Sequence, residues 1–359
     1  MIWLLAFSLF ALCQSINPFY LPCDNIEAQQ EYFERERELF AISDAKQPFN
    51  FTNIIPDHEP YFPMSCRDGD GIYRKPQLSH VQYFCNHTNL LLKDPLDRFT
   101  MLDDTFNWAI NQIWKLTSWR RVHLFGEDYM FYQNDNTNDT VFFLHGINVM
   151  NGWENLYFLN DVTKRANVYI LIYHPILFFD RTPYTHTFDE TIDNLHTMMR
   201  NTVKSAQYQI IGNSFGTIQI TTLCKKYPSL CLQMTDIILT DPVTINFPFS
   251  KTSDVVSYSV FVNHPSYDIG NFISSKLRLK KYYDIFHTQA DWYEWSIDSL
   301  FIRTFTKQLV LVIGKYDSMI DVKPSPILDE CRVIYTETVH GMVLFDNFME
   351  SLTTPICDM

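Results

Sequence analysis

The sequence predicts an α/β domain, a doubly wound, mostly parallel sheet with helices on both faces, and three observations predict it. From Arg121 onward, short apolar runs alternate with segments of helical length. The runs are apolar almost throughout, as strands covered on both faces are, instead of alternating apolar with polar residues. One of them, Tyr208 to Ile211, leads through Gly212-Asn213-Ser214-Phe215-Gly216 into a helical pattern, giving a strand, a sharp turn and a helix in sequence.

In chain order, Met1 to Ser15 holds an apolar run from Ile2 to Cys13 with no Lys or Arg before it and small residues at its end. It reads as a secretory signal peptide or a short signal anchor, because a bilayer needs about 20 apolar residues and this run is shorter. Residues 16–118 form an N-terminal extension. Its first part, to Lys93, is rich in Asn, Asp, Pro and aromatics, with one charged helix expected around Glu27 to Phe40. A second helix is expected from Asp103 to Leu116, where Phe106, Ile110, Ile113 and Trp114 share a packing face.

Residues 119–359 form the α/β domain. The expected strands are Val122 to Tyr132, Val141 to Leu144, Val168 to Tyr173, Tyr208 to Ile211, Ile237 to Leu239, Leu309 to Ile313 and Arg332 to Tyr335. Trp153 to Arg165, Phe188 to Ser205, Phe215 to Lys226 and Gly341 to Glu350 have helical length and periodicity. Residues 244–306 break the alternation and are crowded with aromatics, which reads as a helical cap lining an apolar pocket or packing as plain core.

Composition narrows the function. The net charge of -13 repels phosphate backbones, so nucleic acid is excluded as a partner. Nothing in the sequence points to an obligate protein partner. No Cys-x-x-Cys or His-rich tract is present, so no metal site is expected. Sequons at Asn50, Asn86 and Asn138 mark glycosylation sites of an exported chain, secreted or lumenal. Beyond Cys13, seven cysteines remain, so at least one stays unpaired. Cys224 with Cys231 and Cys66 with Cys85 are candidate disulfides, free buried thiols being the alternative.

The chemistry sits at the carboxyl ends of the expected strands, where doubly wound sheets place their reactive groups. Glycines flank Ser214 because a sharp strand-to-helix turn leaves neighbouring backbone no room for side chains, which exposes the hydroxyl. With 10 glycines in 359 residues, chance supplies the pattern about 0.02 times. A serine hydroxyl needs a base within reach and a carboxylate to orient that base. His340 is the one histidine after the last expected strand. Asp317 follows the strand ending at Ile313, and the order Ser, Asp, His suits this architecture. Asp241, after Leu239, is the alternative acid, and Asp321 a further rival. A capping role for Asp317 competes with the catalytic one. Backbone N–H groups of Phe215 and Ile147, with Asn148 as alternate, would bind a developing oxyanion, and His145 would hold that loop.

The His145-Gly146 strand end, the Gly-Asn-Ser-Phe-Gly elbow, the Gly314-Lys315-Tyr316-Asp317 strand end and the late His340-Gly341 together resemble the α/β-hydrolase superfamily over roughly Arg121 to Leu352. The resemblance implies an eight-stranded sheet, a cap after the sixth strand, and hydrolysis of esters, thioesters or amides without a cofactor. The N-terminal third is reminiscent of uncharacterised eukaryotic relatives with N-terminal extensions. The expected function is a serine esterase or lipase acting on a small-molecule or lipid acyl substrate. The alternatives are a catalytically inactive binding protein of this fold, or a thioesterase or peptidase with the same mechanism. No Asp stands at the elbow, which argues against haloalkane and epoxide chemistry.

Overall fold

Eight strands form one sheet: β1 Arg120–Leu124, β2 Glu127–Tyr132, β3 Thr140–Leu144, β4 Asn167–Leu171, β5 Tyr208–Asn213, β6 Asp236–Thr240, β7 Leu309–Gly314 and β8 Arg332–Thr336. Their spatial order is β8-β7-β6-β5-β3-β4-β2-β1. All neighbours pair in parallel except β2, which runs antiparallel to both β1 and β4. This is the α/β-hydrolase fold, as expected. The structure is a computed structural model describing residues 21–22, 26–41, 66–67, 73–74, 108–109, 112, 114–147, 156–177, 184–202, 208–245, 292–317, 320, 325–340 and 343–345. The 1–15 segment, the sequons at Asn50 and Asn86, the Cys66 to Cys85 pairing, Asn148, Asp321 and the cap interior lie outside the described residues.

Every residue of β3 and β7 is buried, which is why these runs lack a polar face. The pleat still sorts their side chains. Phe142, Leu144, Ile210, Ile237, Leu239, Leu311 and Ile313 face one core layer, while Val141, Phe143, Ile211, Ile238, Val310 and Val312 face the other.

The described helices are α1 Ile26–Leu39, α2 Leu156–Thr163, α3 Phe188–Thr202, α4 Phe215–Lys226, α5 Pro228–Cys231, α6 Trp292–Trp295 and α7 Ser299–Phe305. Helix α4 is buried from Phe215 to Lys225. Cys224 and Cys231 form a disulfide between α4 and α5, whereas Cys331 is a free thiol whose pKa burial pushes up to about 12.

The sequence reads Val122 to Tyr132 as one run, and the structure divides it. Phe125 (φ 53) and Gly126 (φ 87) both turn left-handed, and Leu124 pairs with Glu127 across a two-residue hairpin. Phe-Gly lacks the Asn-Gly or Asp-Gly signature of a two-residue hairpin, so the two strands read as one run.

Helix α1 belongs to the same core. Tyr32, Glu36 and Phe40, spaced at i, i+4 and i+8, form its buried stripe, and the two aromatics join the layer that holds Trp295 and Phe301. Ile245 and Ile297 form a parallel bridge, and the Ile297 N–H donates to the Thr244 carbonyl at 2.7 Å.

Candidate active site

Strand register brings the site together. Leu144 lies beside Gly212, Gly212 beside Leu239, Thr240 beside Val312 and Gly314 beside Thr336. The residues after those positions, His145-Gly146, Ser214, Asp241, Asp317 and His340, therefore emerge at one edge.

Ser214 connects β5 to α4 with φ 49 and ψ -113, a conformation that costs a non-glycine residue about 1–3 kcal/mol and is held by its surroundings. Its N–H donates to the Thr240 carbonyl at 3.0 Å, and its carbonyl accepts from the Thr217 N–H at 2.9 Å. The flanking glycines are steric requirements. A Cβ on Gly216 would overlap the Leu144 carbonyl, and one on Gly212 would lie 2.6 Å from Ile220 and 2.9 Å from the Gly216 backbone.

The Ser214 Oγ lies 2.9 Å from His340 Nε2, and His340 Nδ1 lies 2.6 Å from Asp317 Oδ2. The Asp317 side chain is fully buried and that of His340 is 18% exposed, so a carboxylate shielded from water meets an imidazole open to one side. Past the strands, the two loops remain zipped: the Lys315 N–H donates to Thr336 at 2.8 Å and the Tyr316 N–H to Thr338 at 3.0 Å. This approach needs Gly314, where a Cβ would lie 2.6 Å from the Thr338 carbonyl. Asp317 also accepts from the Ile320 N–H at 3.1 Å through Oδ1. One carboxylate thus accepts a backbone N–H through Oδ1 while Oδ2 meets the imidazole.

Asp241 joins this group: it, Asp317 and His340 bring one side-chain oxygen or nitrogen each to within 4.8 Å of one another. His340 spends both ring nitrogens on Ser214 and Asp317, which leaves no imidazole nitrogen for a metal ion.

The loop after β3 passes against the serine, since a Cβ on Gly146 would lie 3.0 Å from the Ser214 Cβ. Ile147 is half-buried on this loop, and Phe215 is the first residue of α4, where backbone N–H groups point out of the helix. His145 pins the loop: Nδ1 lies 2.7 Å from the Gly146 carbonyl and Nε2 accepts the Tyr173 N–H at 3.3 Å. Burial lowers its pKa to about 4 despite the Gly146 bond, which raises it. His145 is therefore neutral, with one nitrogen donating and one accepting. Beneath the elbow, Phe215 stacks on Tyr173 at 5.8 Å and meets Trp295 edge-on at 6.4 Å. Asn138 is exposed on the loop entering β3.

Sequence reasoning missed two acids. Glu127, buried, is bonded by the Tyr184 hydroxyl at 2.6 Å, by His186 at 3.1 Å and by Asn194 at 3.1 Å. Asp128 gathers Arg121, His123 and His174 at 2.6, 2.9 and 3.0 Å. Partial burial acts to raise the Asp128 pKa, but those three bonds outweigh it and hold the carboxyl well below its usual range. His174 follows β4 at the same sheet edge as His145. An acidic pair at the start of a strand carries no motif, so only the partners reveal it.

No protein-family model and no curated protein matches the chain. Among solved structures it is similar to a serine hydrolase from the polyaromatic-hydrocarbon-degrading bacterium Cycloclasticus zankles, at 14% identity and TM-score 0.48, over 66% of this chain and 95% of that one. It is also similar to 2-hydroxy-6-oxo-6-phenylhexa-2,4-dienoate hydrolase from Rhodococcus sp. strain RHA1, at 13% identity and TM-score 0.47, over 65% and 98%. A third is the meta-cleavage product hydrolase from Pseudomonas fluorescens IP01, at 16% identity and TM-score 0.45, over 65% and 95%.

Proposed function

We propose that this protein is a serine hydrolase that cleaves a carboxylic ester through an acyl-enzyme on Ser214. The observation that carries the reading is the unbroken relay from the Ser214 Oγ through His340 to Asp317, at 2.9 and 2.6 Å. In this reading His340 Nε2 takes the hydroxyl proton as Ser214 attacks the acyl carbonyl, and Asp317 fixes the tautomer and stabilises the imidazolium. The Phe215 and Ile147 N–H groups receive the negative oxygen of the tetrahedral intermediate. Its collapse breaks the ester bond, and His340 returns the proton to the departing alcohol. Water then repeats the sequence on the acyl-enzyme, releasing the acid and restoring Ser214.

The aromatic residues under the elbow and at the foot of the cap favour an apolar acyl group, from a small molecule or a lipid. Export through the secretory pathway, with glycosylation at Asn138, is part of the same reading. The Cys224–Cys231 disulfide supports an oxidising compartment, and the exposure of Asn138 supports the modification.

The test is fluorophosphonate labelling of the purified full chain beside Ser214→Ala. Rapid labelling that the substitution abolishes is expected, because only a serine activated by its base reacts quickly. Unlabelled, well-folded parent protein would overturn the assignment.

A further inference from the structure

Asp241 is wholly buried at the end of β6, with φ 46. Its N–H donates to the Val312 carbonyl at 2.9 Å, and its Oδ1 accepts from the Gly314 N–H at 3.4 Å. Both contacts fall on β7, and Gly314 lies three residues before Asp317. The same side chain offers an oxygen within 4.8 Å of both the Asp317 carboxylate and the His340 ring. A buried carboxylate in a left-handed turn carries costs of desolvation and of backbone conformation, and the orientation of His340 by Asp317 alone does not explain it.

The geometry points to Asp241 as a positioning residue, a second carboxylate that holds the Asp317 turn through Gly314 and acts together with Asp317 on His340. This rests on the proposed serine-hydrolase reading and deepens it. A negative charge so close to an imidazole favours its protonated form, which is the form created when Ser214 attacks. Among the described residues, the titratable groups of this cluster are Asp317 from the β7 loop and His340 from the β8 loop. Lys315 and Glu337, on the same loops, pair with each other at the surface.

The test uses the full chain with an ester substrate, once parent protein has labelled with fluorophosphonate and Ser214→Ala has not. Failure of that first step overturns the underlying reading and is thereby distinguished from failure of this one. Asp241→Asn keeps the acceptor for Gly314 and removes the charge. It should lower kcat about tenfold with KM little changed, and move the acid limb of the kcat/KM profile down by about one pH unit. Asp317→Asn should lose about 1,000-fold or more, and Asp241→Asn/Asp317→Asn should fall further still, because Asp241 supports the remaining turnover. An Asp241→Asn enzyme with an unmoved acid limb and unchanged kcat, or one that loses only thermal stability, overturns the inference.

Discussion

The buried ion pair at the end of α4 gives a quantitative test of how that helix is held. Lys225 Nζ lies 2.5 Å from Asp298 Oδ2, with side chains only 1% and 3% exposed. The other Asp298 oxygen caps α7 by accepting the Phe301 N–H at 2.7 Å. Next in the chain, Ser299 donates to Glu36 of α1, from its N–H at 2.7 Å and its hydroxyl at 2.5 Å. Lys225→Met keeps most of the apolar stem and leaves the Asp298 charge uncompensated near a second carboxylate. Breaking a buried pair from one side costs about 3–5 kcal/mol, mostly the penalty on the charge left behind. Removing that charge as well, in Lys225→Met/Asp298→Asn, should restore most of the loss, since Asn still caps the helix. At about 2 °C per kcal/mol for a large domain, the single variant should melt about 6–10 °C below the parent and the double variant within a few degrees of it. Differential scanning calorimetry of the full chain reads both. A single variant within about 1 kcal/mol of the parent, or a double variant at least as unstable as the single, would refute the reasoning.

Two further predictions concern the same framework. Burial raises the Glu36 pKa against the lowering effect of the Ser299 bonds, and the Asp298 charge raises it further. The folded protein then holds a proton that the unfolded chain has released, so stability declines as pH rises through that window and stays reduced above it. Glu36→Gln should therefore gain stability relative to the parent as pH rises above the unfolded glutamate's pKa of about 4.3; a melting-point difference independent of pH in scanning calorimetry counts against it. Gly216→Ala sets a Cβ on the Leu144 backbone, which has no flexible side chain to give way. It should cost about 1–3 kcal/mol or more and slow fluorophosphonate labelling, whereas a parent-like melting point and labelling rate would show that the elbow has slack.

What was legible in the sequence was local. The Tyr208 to Thr217 stretch states a strand, a turn and a helix within ten residues, and the structure places each there. The strands from β3 onward announced themselves because they are buried on both faces. Asp317 and Asp241 remained rivals because each follows a strand end; only register shows that adjacent strands bring both acids to one imidazole. The hidden features are long-range polar contacts. Glu127 meets Asn194 across 67 residues and Glu36 meets Ser299 across 263, and no periodicity reports such pairs. In α1, the charges around Glu36 disguise a buried stripe as a solvated helix.

The position of Glu36 changes how the N-terminal region relates to the site. A helix outside the α/β domain would be expected to touch it through apolar side chains that tolerate sliding. Here the contact is a buried carboxyl group receiving two hydrogen bonds at the start of α7. Such bonds are directional, and leaving their partners unsatisfied costs more than making them returns, so α1 has one seat. The run from Glu36 through Ser299 and Asp298 to Lys225 reaches the last turn of α4, whose first turn follows Ser214. The helix that presents the serine is thus fixed at one end by the elbow glycines and at the other by a network that includes the N-terminal extension. We infer that α1 contributes to the stability of the serine's scaffold from outside the site's chemistry.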